Sequence, residues 1–291
     1  MSAVILPRAE WAQRAAAHER RADELTAAHR ERAARGEKHP VWDFLFTYYA
    51  YKPALLRRWH PGAGVVLEDA PERAGWRWYS RGERAGEVVP DATLFRAEKP
   101  ALADLVERML RRTASRPGQF GCFGLHEWAM VYREDEHRHP VPLRLGQEGT
   151  DAVVEAHELR CTHFDAFRFF TEDAVPRNRL QLARDSQPDL EQPGCLHAGM
   201  DLYKWAVKLG PLIPGELLLD CFELARDIRL LDMEAAPYDL AAWDVQPVRI
   251  ETADGKAVYV RRQRGFAERG AVLRERMLSA WMPHSAASHT V

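Results

Sequence analysis

Residues 9 to 35 are rich in Ala, Arg and Glu, and Gly36 follows them. Good helix formers over that length, closed by a residue free to turn left-handed, predict one long solvent-exposed helix with a glycine stop. The rest of the chain repeats the theme in shorter pieces. Pro40 opens an aromatic-rich helix over Val41 to Ala50, which Lys52-Pro53 ends or kinks. Further helices are predicted at about Pro100 to Thr113, Leu125 to Arg133, 163 to 171, 194 to 209, 216 to 233 and Phe266 to Trp281. Gly62 and Gly64 lead into Val65-Val66-Leu67, and Trp76-Arg77-Trp78-Tyr79 alternates, which predicts a β-hairpin near residues 65 to 79. Asp254-Gly255 sits between Val248-Arg249-Ile250 and Ala257 to Val260, which predicts a second near 247 to 261. Residues 134 to 160 read as strand, short helix, strand. The expected fold class is mainly α (α+β). It is one helix-dominated globular domain over residues 1–282 with two or more small β-hairpins, followed by a disordered tail over 283–291.

With 291 residues, 46% of them hydrophobic, the chain can bury a sizeable core. A formal net charge of -2 excludes a whole-protein basic field for gripping nucleic acid, though it leaves room for a local patch. Cys122, Cys161, Cys195 and Cys221 are far apart and follow no C-x-x-C spacing. They read as reduced thiols of a cytoplasmic protein, not as a disulfide framework or zinc knuckle. The apolar stretch Ala3 to Leu6 is cut off by Pro7 and has no basic segment before it, so no signal peptide is expected. No apolar run approaches the roughly 18 residues of a membrane span.

Between Gly121 and Asp239, imidazoles and carboxylates are interleaved with aromatic residues. Burying such groups is costly, so the pattern points to a lined pocket. Thr162-His163-Phe164-Asp165 resembles a capping box, with Asp165 bonding the first turn and Arg168 as its ion-pair partner. His163 shares a helix face with Phe167 and Phe170, as either a core or a pocket residue. His197 and Asp201, four apart, share a stripe with Lys204 and Lys208, while Leu202, Ala206 and Leu209 form the core side. That stripe reads as a solvated face with an Asp–Lys pair; a His–Asp dyad at the mouth of a site is the functional alternative. Gln192-Pro193-Gly194 starts this helix, where the dipole would favour an anion. Asp220, Glu223 and Asp227 read as wet surface, and His137 and His139 as solvent-facing. His126-Glu127 follows Gly118, Gly121 and Gly124, a spacing that matches no phosphate loop but lets backbone pass close to a ligand. No established metal motif is present. His163, Asp165, His197 and Asp201 would nevertheless supply two nitrogens and two carboxylates, a set that suits Fe, Mn or Zn if the two helices face each other.

Four stretches together resemble an actinobacterial protein family commonly labelled 3-methyladenine DNA glycosylase. They are Gly36 to Pro40 with Asp43 to Tyr49, Phe123 to Tyr132, His163 to Phe170, and Glu191 to His197. The likeness spans roughly residues 36 to 270. It implies a hydrolase that cleaves the N-glycosidic bond of an alkylated purine in DNA or a nucleotide, without a cofactor. It brings no catalytic assignment with it. The nearest match to the hairpin of well-known alkyl-base glycosylases, Leu212-Ile213-Pro214-Gly215-Glu216, lacks the second glycine.

Under that reading, aromatic faces would hold the cationic base: Tyr48, Tyr49, Trp128, Phe167 and Phe170, with His126, Arg168 and Lys204 also contacting substrate. Asp201, His197, His163, Glu127 and Asp165 would serve the acid–base chemistry. Basic residues from Arg14 to Lys38, with Arg57 and Arg58, would hold phosphates. The partner would be DNA or a modified nucleotide, with no membrane involved. The alternative is a metal-dependent His/carboxylate enzyme, hydrolase or oxygenase, acting on a small molecule. A third possibility is a non-enzymatic interaction protein using the N-terminal helix.

Overall fold

The Ala/Arg/Glu-rich run forms a helix because a single narrow stripe of it finds a core. In α1 (Arg8–Ala34), Trp11, His18, Ala22 and Thr26 are buried at spacings of seven, four and four, and the other faces stay wet. Gly36 then turns with φ 71°, as the glycine stop requires. A computed structural model describes residues 4–134 and 141–281. The expected tail over 283–291, together with His137 and His139, lies outside the described residues.

The fold is mainly helical (57%) with a small four-stranded mixed sheet. In chain order the elements are β1 (Ile5–Leu6), α1, α2 (Phe44–Thr47), α3 (Pro53–Leu56), β2 (Val66–Leu67), β3 (Tyr79–Arg81), β4 (Val88–Pro90), α4 (Ala92–Glu98), α5 (Pro100–Ala114), α6 (Leu125–Ala129), α7 (Gly146–Glu155), α8 (Phe164–Phe167), α9 (Gln187–Leu190), α10 (Leu196–Leu209), α11 (Gly215–Glu234) and α12 (Ala253–Trp281). No helix among the described residues is long and apolar enough to cross a membrane. The residues gather into two compact units. Among the described residues, one comprises 4–110, 202–223 and 272–281; the other comprises 111–134, 141–201 and 224–271. Each is built from separate stretches, so no single cut in the chain divides them.

The first unit holds the sheet, ordered β1-β2-β4-β3. β1 pairs with β2 in parallel, and the other pairings are antiparallel. Leu6, Trp11, Trp59, Leu67, Tyr79 and Val88 form its core. The expected hairpin over 65 to 79 needs correction. The hairpin is β3–β4, and β4 lies between β2 and β3. Trp76 and Trp78 sit in turns, with Trp78 at φ 60°, because their rings go to His60 and Phe95 and do not continue a ladder.

The second expected hairpin is also corrected, because residues 253 to 281 are one helix. Thr252 decides it. Its hydroxyl accepts from Gly255 N–H at 3.1 Å and its carbonyl accepts from Lys256 N–H at 3.1 Å, so it caps α12. The Asp254-Gly255 pair therefore lies in the first turn of a helix instead of between two strands. Residues 143 and 159 keep only isolated bridges, to Tyr238 and Asn178, in place of the strands expected around α7.

Candidate metal centre

All parts of the site belong to the second unit. Gly124, left-handed at φ 72°, starts α6, and a Cβ there would press on Ala235 and Tyr259 at 3.3 Å. The tight entry turns His126 and Glu127 inward, each 7% exposed. A second close approach fixes α10. Gly194 lies against Gln119, where a Cβ would stand 2.4 Å from the Gln119 carbonyl oxygen. The buried Gln192 side-chain oxygen accepts from Gln119 N–H and Gly194 N–H, both at 2.7 Å. Gln263 donates to the Gly194 carbonyl at 2.7 Å. The loop of glycines is thus tied to the start of α10, which presents His197 and, one turn on, Asp201. α11 brings in Arg229 and Asp232. His163 stands as the N-cap residue of α8 in extended backbone.

Two triads result. His126, His197 and Asp232 form one, and His163, Glu191 and Asp201 the other; within each, one ligand-type atom per residue lies within 4.8 Å of the others. The His197 ring links them. It stacks on His163 with centroids 5.1 Å apart and meets His126 edge-on at 4.5 Å. In the first triad, His126 Nε2 and Asp232 Oδ1 are 2.9 Å apart. The two atoms make a buried ion pair at that distance, and neither has a further hydrogen-bond partner among the described residues. Asp232 is completely buried. Its other oxygen accepts from Arg229 at 2.9 Å, and Arg229 also reaches Glu127 at 3.3 Å. In the second triad, His163 Nε2 lies 3.1 Å from Asp201 Oδ2 and 3.5 Å from Glu191 Oε2.

The electrostatics follow from crowding. Burial disfavours charge on Asp232, but His126, His197 and Arg229 outweigh it and hold the carboxyl well below its ordinary range. Burial also opposes charge on His126, yet Asp232 and Glu127 raise its pKa. His197 goes the other way. Burial, then His126 and His163, push it well below the usual imidazole value, so it is neutral and its lone pair is available. His126 and His197 open onto a cavity of about 270 Å³, which Gln119, Phe120, Cys122, Arg160, Phe170 and Tyr259 also line. Burial raises the thiols of Cys122 and Cys195 and pushes that of Cys161 up to about 12, so all three are protonated.

Of the residues singled out by sequence, His126, His163, His197 and Asp201 meet in this centre, with Glu127 tied to them through Arg229. The His197–Asp201 stripe is not a solvated face: Asp201 is 2% exposed and turns to His163. Lys204 instead lies over the Trp205 ring at 4.4 Å. Asp165 stands outside the triads, near Arg168 at 3.4 Å and Arg184 at 3.6 Å. The capping box does not form, since the N-cap is His163 without a side-chain cap. Phe167 and Phe170 pack on each other at 5.1 Å, and only Phe170 reaches the cavity. Trp128 is wholly buried and donates to the Ala235 carbonyl at 2.8 Å. Tyr48 and Tyr49 belong to the first unit, where Tyr49 packs edge-on to Tyr203 at 5.2 Å; neither lines the cavity. The basic stretch is largely neutralised within that unit: Arg14 pairs with Glu216, Arg21 with Asp220 and Glu223, and Arg57 with Glu19 and Asp23.

Sequence reasoning missed Glu191 and Asp232 as members of the triads and Arg229 as the neighbour of Asp232. A signal existed for Asp232, a lone acid inside Leu230-Leu231-Asp232-Met233 with Arg229 three residues before it. The chain matches no protein-family model, no curated protein and no solved structure.

Proposed function

We propose that the protein is a metal-dependent hydrolase acting on a small molecule, with a divalent transition-metal ion held by His126, His197 and Asp232. One observation carries this reading: His126, His197 and Asp232 bring two imidazoles and a carboxylate within 4.8 Å of one another beside a cavity, with His126 Nε2 and Asp232 Oδ1 2.9 Å apart. Two ligands on one ion, with bonds of about 2.1 Å at right angles, stand about 3.0 Å apart. Two imidazoles and one carboxylate leave open positions on the ion, as catalytic sites require. Arg229 occupies Asp232 Oδ2 and so leaves Oδ1 for the ion. A divalent ion held there would supply a water acidic enough to act as nucleophile near neutral pH. The cavity beside His126 and His197 admits the substrate. Tyr259 lines it, and burial raises its hydroxyl pKa well above the ordinary value, so it stays protonated and serves as a donor. Four free thiols support a reducing compartment, the cytoplasm.

The N-glycosidic reading stands second. Phe120, Phe170 and Tyr259 give the same cavity aromatic walls, which suit a flat cationic base. One set of assays separates the two. The purified chain is stripped with a chelator, reloaded with Zn2+, Mn2+ or Fe2+, and tested on small ester, amide, phosphate and N-glycosidic substrates and on alkylated DNA. Hydrolysis lost on stripping and restored by one of these ions is the expected result. Base release that persists in chelator would instead support the metal-free glycosylase reading.

A further inference from the structure

In the second unit, buried acids outnumber buried cations. Among its described residues, Glu127 (7% exposed), Glu191 (2%), Asp201 (2%) and Asp232 (0%) are buried, and Arg229 (5%) is the one buried guanidinium. Arg116 approaches Glu191 and donates to its main-chain carbonyl at 2.9 Å. Ionised groups are costly to bury, and a bound metal is one of the few ways to gather several of them in one place. One ion at His126, His197 and Asp232 relieves one end of this set. Glu191 and Asp201 converge at the other end, on His163.

We infer that His163, Glu191 and Asp201 form a second divalent-cation site, so that the two triads together make a dinuclear centre. This rests on the reading of the first triad as a metal site. The helix geometry sets the two close together. His197 serves the first triad and Asp201 the second, and residues four apart on a helix have Cβ atoms only about 5–6 Å apart. Gln187 holds Glu191 Oε2 at 3.0 Å, which orients that carboxylate towards His163. His163 Nε2 faces both carboxylates, at 3.1 Å from Asp201 and 3.5 Å from Glu191. The two sites differ in chemistry. The first, with two imidazoles, suits Zn2+ or Fe2+; the second, with one imidazole and two carboxylates, suits Mn2+ or Mg2+. They also differ in access. Two ligands of the first line the cavity, and none of the second does. The second ion is therefore walled in behind the first, where it neutralises the acids and holds α10 to the segments carrying His163 and Glu191.

The test is metal stoichiometry in the full chain. Protein stripped with chelator is titrated with Mn2+ alone and with Zn2+ alone, and bound metal is counted by elemental analysis. Low-temperature electron paramagnetic resonance of the Mn2+ form reports whether two ions are coupled. Wild type should hold two ions per chain with a coupled spectrum. The isosteric pair Glu191→Gln with Asp201→Asn should hold one, with the spectrum of an isolated ion, and Asp232→Asn should likewise retain one. A wild-type count of one would overturn the dinuclear centre, with retention of that ion in Glu191→Gln with Asp201→Asn placing it at the first triad, and a count of zero would overturn both sites. Because the wild-type count and spectrum need no variant to fold, misfolding of a variant cannot shield the proposal.

Discussion

The two units bury ionisable groups in opposite ways. In the first, Arg73 and His18 are met singly. Arg73, 6% exposed, lies among the rings of Trp11, Trp59 and Trp76 at 4.7, 5.4 and 4.8 Å and donates to the Trp59 carbonyl at 3.1 Å. His18 meets the Leu56 carbonyl at 2.8 Å. In the second, imidazoles and carboxylates are pressed onto one another, and one guanidinium serves two acids. A charge met by rings and carbonyls holds a core together. Acids crowded onto imidazoles are the grouping that the proposed metal ions would need. That difference is what motivates the proposal of a metal-dependent function for the second unit.

The comparison is sharpened first where the largest loss is expected. Trp59→Ala empties a core position that is 2% exposed and removes the indole donor to Glu216. It should cost about 3–5 kcal/mol in denaturant unfolding. Metal content per folded chain should stay unchanged, and loss of metal in that variant would break the separation of roles.

Chelation acts on the other unit. Removing an ion present at about 1,000 times its Kd should cost roughly 4 kcal/mol, read as a fall of roughly 10 °C in Tm. His197→Ala should lie near the stripped wild type and respond little to chelator. A wild-type Tm indifferent to chelator would mean that no metal stabilises the crowded acids.

Acid should loosen the first unit through His60, which burial and then Arg73 push down to about 3. The unfolded imidazole titrates near 6.5, so between these values the unfolded chain binds more protons and stability falls as pH falls. Between pH 7 and 5, His60 should account for a loss of about 1–2 kcal/mol in unfolding free energy, beside the loss that the depressed His197 adds in chelator. His60→Gln should flatten that slope, and an equal slope in the variant would remove His60 as its source.

The smallest effect tests an element where local pattern misleads. Thr252→Ala should cost about 1 kcal/mol by removing the cap of α12, whereas a residue in a hairpin arm would lose little.

Much of the helical framework was legible because it is local. α1, α10 and α11 fall within two residues of expectation, since stop signals and core stripes lie in the chain itself. Asp254-Gly255 misled because the same two residues fit a turn or a first helical turn, and the hydroxyl of Thr252 settles which. The site was half legible. Interleaved imidazoles and aromatics pointed to His126, His163, His197 and Asp201. Their pairing was not, because His163 meets Asp201 across 38 residues of chain and His126 meets Asp232 across still more. The solvated-face reading of His197 and Asp201 failed because helical periodicity shows which residues share a face, not what packs on it.

The most direct test of the central claim is an anomalous-scattering experiment on crystals of the full chain, collected on both sides of the absorption edge of the ion used for reloading. The account predicts a peak at about 2.0–2.2 Å from His126 Nε2, Asp232 Oδ1 and a ring nitrogen of His197. Crystals showing no peak there, with His126 and Asp232 rotated into an ordinary hydrogen bond, would contradict it.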